Sequence, residues 1–121
     1  MQWLIHNSLP GVAEALTALE HKSHAIEELA LAPEATSEQI LAAARAKQWD
    51  IITSDSSLAL APFDLPGVYN RCIVFLQLQG GETEWFVAIS RLFERFKRPA
   101  QGRLYTVTGT RVKVRQLPSR K

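Results

Sequence analysis

The sequence predicts an α/β domain in which a mostly parallel sheet lies between two layers of helices. Short apolar runs, each followed by a polar turn, alternate with longer segments whose apolar residues recur every three or four positions. Strands that alternate with helical segments form parallel sheets, because each helix returns the chain to the start of the next strand. Two consecutive strand-like segments near the end of the sequence add an antiparallel hairpin.

Composition predicts a single cytoplasmic domain spanning residues 1–121, with no membrane partner. An apolar content of 46% in 121 residues suffices for a core. No apolar run approaches the roughly 18 residues of a membrane span. The opening Met1–His6 lacks the basic and long apolar regions of a signal peptide. Cys72 is the single cysteine, which excludes an intrachain disulfide and fits a reducing compartment; its apolar neighbours predict a small buried residue.

The first part of the chain predicts strand, helix and strand. Trp3–Ile5 is a short apolar run, and Ser8 and Pro10 are typical of a helix start. His24–Ile26 is a candidate second strand, and residues 27–36 are interpreted as a connection. The helix between the two strands ends near residue 20, and its apolar stripe consists of Leu9, Val12, Leu16 and Leu19.

The middle of the chain contains the clearest helix start. Thr36 and Gln39 have the spacing of a capping box, and the helix is predicted to end near Lys47. Asp50–Thr53 then reads as a buried strand because two β-branched apolar residues occupy its centre. Two prolines in Ala61–Gly67 predict a loop there, after at most one helical turn.

The last third predicts a central strand, a long helix and a hairpin. Cys72–Leu78 is nearly continuously apolar at first, as in a parallel strand covered on both faces. Leu104–Val107 and Arg111–Arg115 are the strands of the hairpin. The helix spans Glu82–Lys97, and its aromatic-rich core stripe consists of Trp85, Phe86, Ile89, Leu92, Phe93 and Phe96.

Asp55 follows the strand Asp50–Thr53 directly, where an open α/β sheet binds its ligands. The alternative is that its carboxylate merely caps the helix that starts at Ser56. His6 follows the first strand in the same way. With right-handed crossovers between the strands, we expect the two strand ends to be neighbours and His6 to lie close to Asp55.

Several short motifs follow one another in an order that is shared with a known family. They are the strand and Leu-Pro turn at Leu4–Pro10, the His-containing turn at Glu20–Ile26, the helix start at Ser37–Leu41, the acidic strand end at Ile51–Leu58 and the hairpin at Gly102–Val114. In this frame the chain resembles the small bacterial PIN-like domain proteins, which are toxin-type nucleases of toxin–antitoxin pairs. The resemblance covers nearly the whole chain, and it implies a three-layer α/β/α PIN-like fold.

The resemblance also implies phosphodiester hydrolysis assisted by Mg²⁺ or Mn²⁺ held between clustered carboxylates. Of the positions that are acidic in the family, Asp55 keeps its carboxylate. Glu38 directly follows Ser37, which occupies another of these positions. The remaining positions carry neutral side chains: His6, Asn7, Ser37 and Ser57. Mg²⁺ needs hard oxygen ligands, so we expect Mg²⁺ or Mn²⁺ binding to be weak or absent.

Two hypotheses follow from this departure. In the first, the chain is a catalytically impaired PIN-like protein that binds RNA or a partner protein, such as a cognate antitoxin-like protein or a second copy of itself. In the second, it is an active ribonuclease toxin in which His6, Glu38 and Asp55 form a reshaped metal and catalytic site, since imidazole suits Mn²⁺ better than Mg²⁺.

Charge is distributed unevenly along the chain. Residues 1–90 hold four basic and eleven acidic residues, a balance of −7, whereas residues 91–121 hold ten basic residues and one acidic residue, a balance of +9. The basic part predicts a surface for nucleic acid, made of Arg95, Lys97, Arg98, Arg103, Arg111, Lys113 and Arg115. The alternatives are pairing with the acidic part of the chain and protection of an edge strand against aggregation.

Overall fold

The computed structural model describes residues 2–6, 11–32, 34–65, 69–78, 81–109 and 111–118. Six strands of this part of the chain form one sheet in the order β2-β1-β3-β4-β5-β6. All neighbours are parallel except β5 and β6, which form the antiparallel hairpin. The predicted α/β class is confirmed. The strands are β1 Gln2–Ile5, β2 Lys22–Ala25, β3 Asp50–Thr53, β4 Ile73–Leu76, β5 Arg103–Val107 and β6 Val112–Gln116.

Helices cover both faces of the sheet, as expected of a three-layer arrangement. One apolar cluster joins buried residues of α1 and α4 to one side of the sheet. A second cluster joins α2 and α3 to the other side. Alternate residues of the central strand β4 enter the two clusters, since side chains of a strand point to opposite faces. The helices are α1 Val12–Ala18, α2 Ser37–Lys47, α3 Ser56–Asp64 and α4 Glu82–Arg95, with a 3-10 helix at Ile26–Leu29.

Helix α2 begins and ends as the sequence predicts. The Thr36 hydroxyl accepts a hydrogen bond from the Gln39 N–H at 3.2 Å, and the Gln39 side chain accepts one from the Thr36 N–H at 2.8 Å. Arg45 and Lys47 occupy the last turn, where positive charge suits the helix dipole. The helix leads directly to β3, so its cap helps to fix the strand that carries Asp55.

The predicted loop over Ala61–Gly67 is wrong for its first four residues. Helix α3 continues through Pro62 to Asp64, and the Leu65 N–H still donates to the Ala61 carbonyl at 3.0 Å. Proline has a helical φ, but inside a helix it removes one backbone hydrogen bond and crowds the carbonyl four residues earlier, which here is that of Leu58. Burial of Leu58 and Pro62 against the sheet offsets that loss.

The apolar stripe of α4 is buried with one exception. Trp85, Ile89, Leu92 and Phe93 are buried, and Phe96 is partly buried. Phe86, which was expected in the core, is 38% exposed. Phe86 lies at the border of the stripe, about 100° around the helix axis from Trp85 and further from the centre of the stripe than Ile89 or Leu92, so the core covers it only in part.

Other boundaries differ by a few residues. Strand β2 begins at Lys22 rather than at His24, and Ile26, predicted as the last residue of that strand, starts a 3-10 helix that extends into the predicted connection. Strand β4 is shorter than predicted, and Leu19, expected in the stripe of α1, is 36% exposed. The predicted helix start at Ser8 and Pro10 lies outside the described residues. Among the described residues, no helix is long and apolar enough to cross a membrane.

Candidate functional site

The sheet brings the ends of β1 and β3 together, as expected from the sequence. The two strands are parallel neighbours, with Ile5 opposite Ile52. The chain leaves β1 towards β2 on one side and then crosses to β3 on the other, so strand order reverses between β1 and β3. A crevice at such a reversal is where open α/β sheets bind ligands. His6 and Asp55 both line it.

Hydrogen bonds connect His6 to the end of β3. The His6 backbone N–H donates to the Ile52 carbonyl at 2.9 Å, and His6 Nδ1 lies 2.8 Å from Thr53 Oγ1. The same Thr53 hydroxyl oxygen accepts a hydrogen bond from the Asp55 N–H at 3.0 Å. The side-chain oxygen of buried Thr53 therefore connects the two strand ends. Its hydrogen bond with His6 Nδ1 fixes the orientation of the His6 ring.

Asp55 is the N-cap of α3. Its Oδ1 accepts a hydrogen bond from the Ser57 N–H at 2.8 Å, with the backbone of Asp55 extended. The capping interpretation is confirmed, and it places one carboxylate oxygen in a structural role. Asn7, at another family acid position, lies outside the described residues.

The crevice beside these residues has a volume of about 540 Å³. His6, Asp55 and Glu27 supply its polar groups, and Glu27 is a residue that sequence reasoning missed. The signal was present, since Glu27 follows β2 at the same edge of the sheet. The remaining lining is apolar: Ile26, Leu31, Ala32, Ala35 and Ile40.

Glu38 is placed apart from this crevice. It is exposed, in the first turn of α2, and does not line the crevice that His6 and Asp55 share. Within the described residues, no three or more His, Cys, Asp or Glu side chains form a group that could hold a metal ion. His6 and Asp55 are brought together, whereas the predicted third ligand is not. Metal binding itself stays a prediction.

A larger cleft of about 620 Å³ begins at the carboxyl ends of β4 and β5 and follows α4. Arg91, Arg95, Arg111 and Glu84 supply its charged groups, and the rest of its lining is mainly apolar and includes Val107 and Val112. Arg91 was not among the predicted binding residues, although its spacing of four from Arg95 places both on one side of a helix. None of the three arginines has a carboxylate partner within the described part of the chain.

The seven predicted cations do not form one surface. Lys113 and Arg115 line a different cleft, of about 530 Å³, on the α3 side of the sheet. The Arg115 guanidinium lies 4.0 Å from the centre of the Phe63 ring. Lys97 and Arg98 are exposed just after α4. Arg103 is half-buried beside the Gly102 carbonyl, at 3.5 Å.

A buried polar cluster occupies the opposite end of β3. Asp50 is fully buried, its Oδ1 accepts a hydrogen bond from the Cys72 N–H at 3.0 Å, and Arg71 Nε lies 3.4 Å away. Burial raises the pKa of Asp50, against the lowering effects of the Cys72 N–H and of Arg71. The Tyr69 hydroxyl donates to the Trp49 carbonyl at 2.8 Å. The cluster ties β3 to the start of β4.

Cys72 belongs to the same cluster and is fully buried, as predicted. Burial raises the pKa of its thiol well above the ordinary value, so the reactive thiolate is disfavoured. A nucleophilic role for Cys72 has no support in this environment.

Comparisons of the chain with protein-family models, with curated proteins and with solved structures found no match.

Proposed function

We propose that the chain is a PIN-like domain that binds single-stranded RNA without cleaving it. The observation that carries the proposal is the cleft along α4, where three arginines and one carboxylate, Glu84, are among the lining residues, and the arginines form no ion pair within the described part of the chain. Phosphates bind to such clusters because arginine offers several donors in a fixed plane.

The site between β1 and β3 supports the absence of cleavage. Hydrolysis of a phosphodiester with a metal needs anionic oxygens that hold the metal against the phosphate. Asp55 uses one oxygen to cap α3, and His6 is bonded to Thr53 instead of offering a carboxylate. Glu38 is exposed outside this crevice.

Fluorescence anisotropy with labelled oligouridylate over a series of salt concentrations tests the proposal. We expect saturable binding at low salt that weakens steeply as salt is added, with a log–log slope of about −0.7 per phosphate contact. Replacing Arg91, Arg95 and Arg111 with glutamine should weaken binding and reduce the steepness of the slope. The matched control replaces Lys22, Arg45 and Lys47, which lie in β2 and α2.

The control triple variant loses the same net charge away from the cleft, so it should bind nearly as well as the wild type. Absence of binding at low salt would overturn the proposal. Equal losses in the two triple variants would also overturn it, since they would show a response to net charge alone. Cleavage of the RNA that disappears in Asp55→Ala would restore the ribonuclease hypothesis.

A further inference from the structure

Strand β6 forms the outer edge of the sheet next to β5. Two hydrogen bonds define how the hairpin pairs. The Thr108 N–H donates to the Arg111 carbonyl, and the Leu117 N–H donates to the Gly102 carbonyl, both at 2.9 Å. In an antiparallel pair, residues directly opposite alternate between hydrogen-bonded and non-hydrogen-bonded positions. The register of the whole hairpin follows from these two pairs.

The alternation directs half of the β6 backbone away from the sheet. Lys113 and Arg115 occupy hydrogen-bonded positions, so their backbone N–H and C=O groups point towards β5. The residues between them direct their backbone N–H and C=O groups outwards: Val112, Val114 and Gln116. No described strand lies beyond β6. This outward row of donors and acceptors is a template for one additional strand.

The two faces of β6 differ in chemistry. Val112 and Val114 lie opposite Val107 and Tyr105, which belong to the core under α4. Val114 is nevertheless 46% exposed. Lys113 and Arg115 point to the other face, where α3 packs. Among the side chains of β6 itself, those on the α4 face are apolar and those on the α3 face are cationic, although the cleft along α4 is also lined by Arg91, Arg95 and Arg111.

Both clefts border this edge. The cleft along α4 includes Val112, and the cleft on the α3 side includes Lys113 and Arg115. Alternate side chains of an added strand would point towards these two clefts, because side chains of a strand alternate between faces. Next to the added strand, apolar side chains suit contact with Val112 and Val114 on the first face, and acidic side chains suit contact with Lys113 and Arg115 on the second.

We propose that β6 is a docking edge for an extended segment of a partner protein in which apolar and acidic residues alternate. A second copy of β6 fits poorly, because pairing two such edges places cations opposite or beside cations, and like charges across strands are destabilising. The inference goes beyond RNA binding and does not depend on it, since it rests on backbone groups of the sheet edge.

The test measures binding of a short labelled peptide of alternating valine and glutamate to the full chain by fluorescence anisotropy. A peptide of the same composition, with its valines and glutamates in separate blocks, is the control. We expect saturable binding of the alternating peptide and at least about tenfold weaker binding of the control, because only the alternating order presents one chemistry to each face. Equal binding of the two peptides would overturn the proposal.

Variants at one position separate backbone pairing from side-chain contact. Val114→Pro removes an outward N–H that β5 does not use, and proline is tolerated on such edges. Val114→Thr keeps the N–H and the branched shape. Binding should fall about tenfold in the proline variant relative to the threonine variant. Equal peptide binding by the folded proline and threonine variants would contradict the proposal that the partner pairs with the backbone of β6.

A charge exchange provides a test that does not depend on proline. Lys113→Glu should weaken binding of the valine–glutamate peptide and strengthen binding of a valine–lysine peptide. Lack of any change with either peptide would overturn the acidic assignment. Analytical ultracentrifugation tests whether a second copy of the chain occupies the edge instead. A wild-type dimer that is lost in Val114→Pro would show that it does.

Discussion

Asp55 and Asp50 stand near opposite ends of β3, and their surroundings give them different roles. Asp55 is half-buried at the carboxyl end, where it caps α3 and lines the crevice with His6. Asp50 is fully buried at the other end, where it accepts a backbone hydrogen bond and contacts Arg71. Oδ2 of Asp50 has no hydrogen-bond partner among the described residues. Stability measurements can separate the two roles.

Replacing Asp55 with alanine should lower the free energy of unfolding by about 1 kcal/mol, because the Ser57 N–H loses its acceptor. Asp55→Asn keeps an acceptor oxygen and should lose much less stability. Urea unfolding of the three proteins checks this prediction. Equal stability of the alanine variant and the wild type would mean that the cap contributes nothing.

Asp50 predicts a pH dependence of stability. Its pKa is raised in the folded state, so the folded chain holds the Asp50 proton more tightly than the unfolded chain does. The contribution of Asp50 to the free energy of unfolding is therefore largest below the unfolded pKa of about 4, and it declines as pH rises through the folded pKa. Above that pKa the contribution is constant.

The Asp50→Asn variant isolates this effect. The difference in free energy of unfolding, wild type minus variant, should decrease from about pH 4 upwards and then become constant. Urea titrations at several pH values give the difference directly. A difference that grows with pH would show that Arg71 and the Cys72 N–H outweigh burial.

At the scale of elements, α4 contributes both to the core and to the proposed RNA surface. Its buried side packs against α1 and the sheet, and the Phe93 ring contacts Trp3 edge-on at 5.7 Å between ring centres. Its opposite border carries Arg91 and Arg95 along the larger cleft. The helix thus fixes the position of the two arginines through its packing.

Leu92→Ala and Phe86→Ala should differ in stability although both truncate an apolar side chain of α4. Leu92 is fully buried, so its truncation should cost about 2–5 kcal/mol of unfolding free energy. Phe86 is 38% exposed, and its truncation should cost less than about 1 kcal/mol. Chemical denaturation measures both values. Similar losses would indicate that the two residues contribute equally to the core.

Elements with strong local signals were predicted closely from the sequence. The capping box defines α2, and β-branched residues define β3. Predictions were wrong where packing outweighs a local preference. Burial keeps Pro62 inside α3, and the geometry of the helix exposes Phe86 beside buried Trp85.

At the scale of the whole molecule, topology decides which residues meet. The neighbours His6 and Asp55 were predicted because both follow apolar strands that precede helices. The separation of Glu38 from their crevice was not predicted, since the sequence does not show where the start of α2 lies relative to the sheet edge. Lys113 and Arg115 share the α3 side because side chains two apart in a strand point to the same face, whereas Arg111 precedes β6 and lines the cleft along α4.

Introducing acids at two positions near the crevice between β1 and β3 should increase affinity for Mg²⁺. The double change His6→Asp and Ser57→Asp places two carboxylates near Asp55, and an acid near the start of α3 also suits the helix dipole. The matched control carries asparagine at both positions, which adds oxygen atoms without charge. Calorimetric titration should show tighter binding only for the aspartate variant. Equal affinity in the three proteins would indicate that the strand ends do not form a metal site.

We propose that this chain binds RNA through the cleft along α4 and leaves the RNA intact. End-labelled single-stranded RNA incubated with the protein and either Mg²⁺ or Mn²⁺ tests both parts in one sample. A native gel reports binding, and a denaturing gel of the recovered RNA reports cleavage. The account predicts a shifted complex that the triple change at Arg91, Arg95 and Arg111 weakens, with full-length RNA recovered. Cleaved RNA with the wild type, and intact RNA with Asp55→Ala, would contradict it.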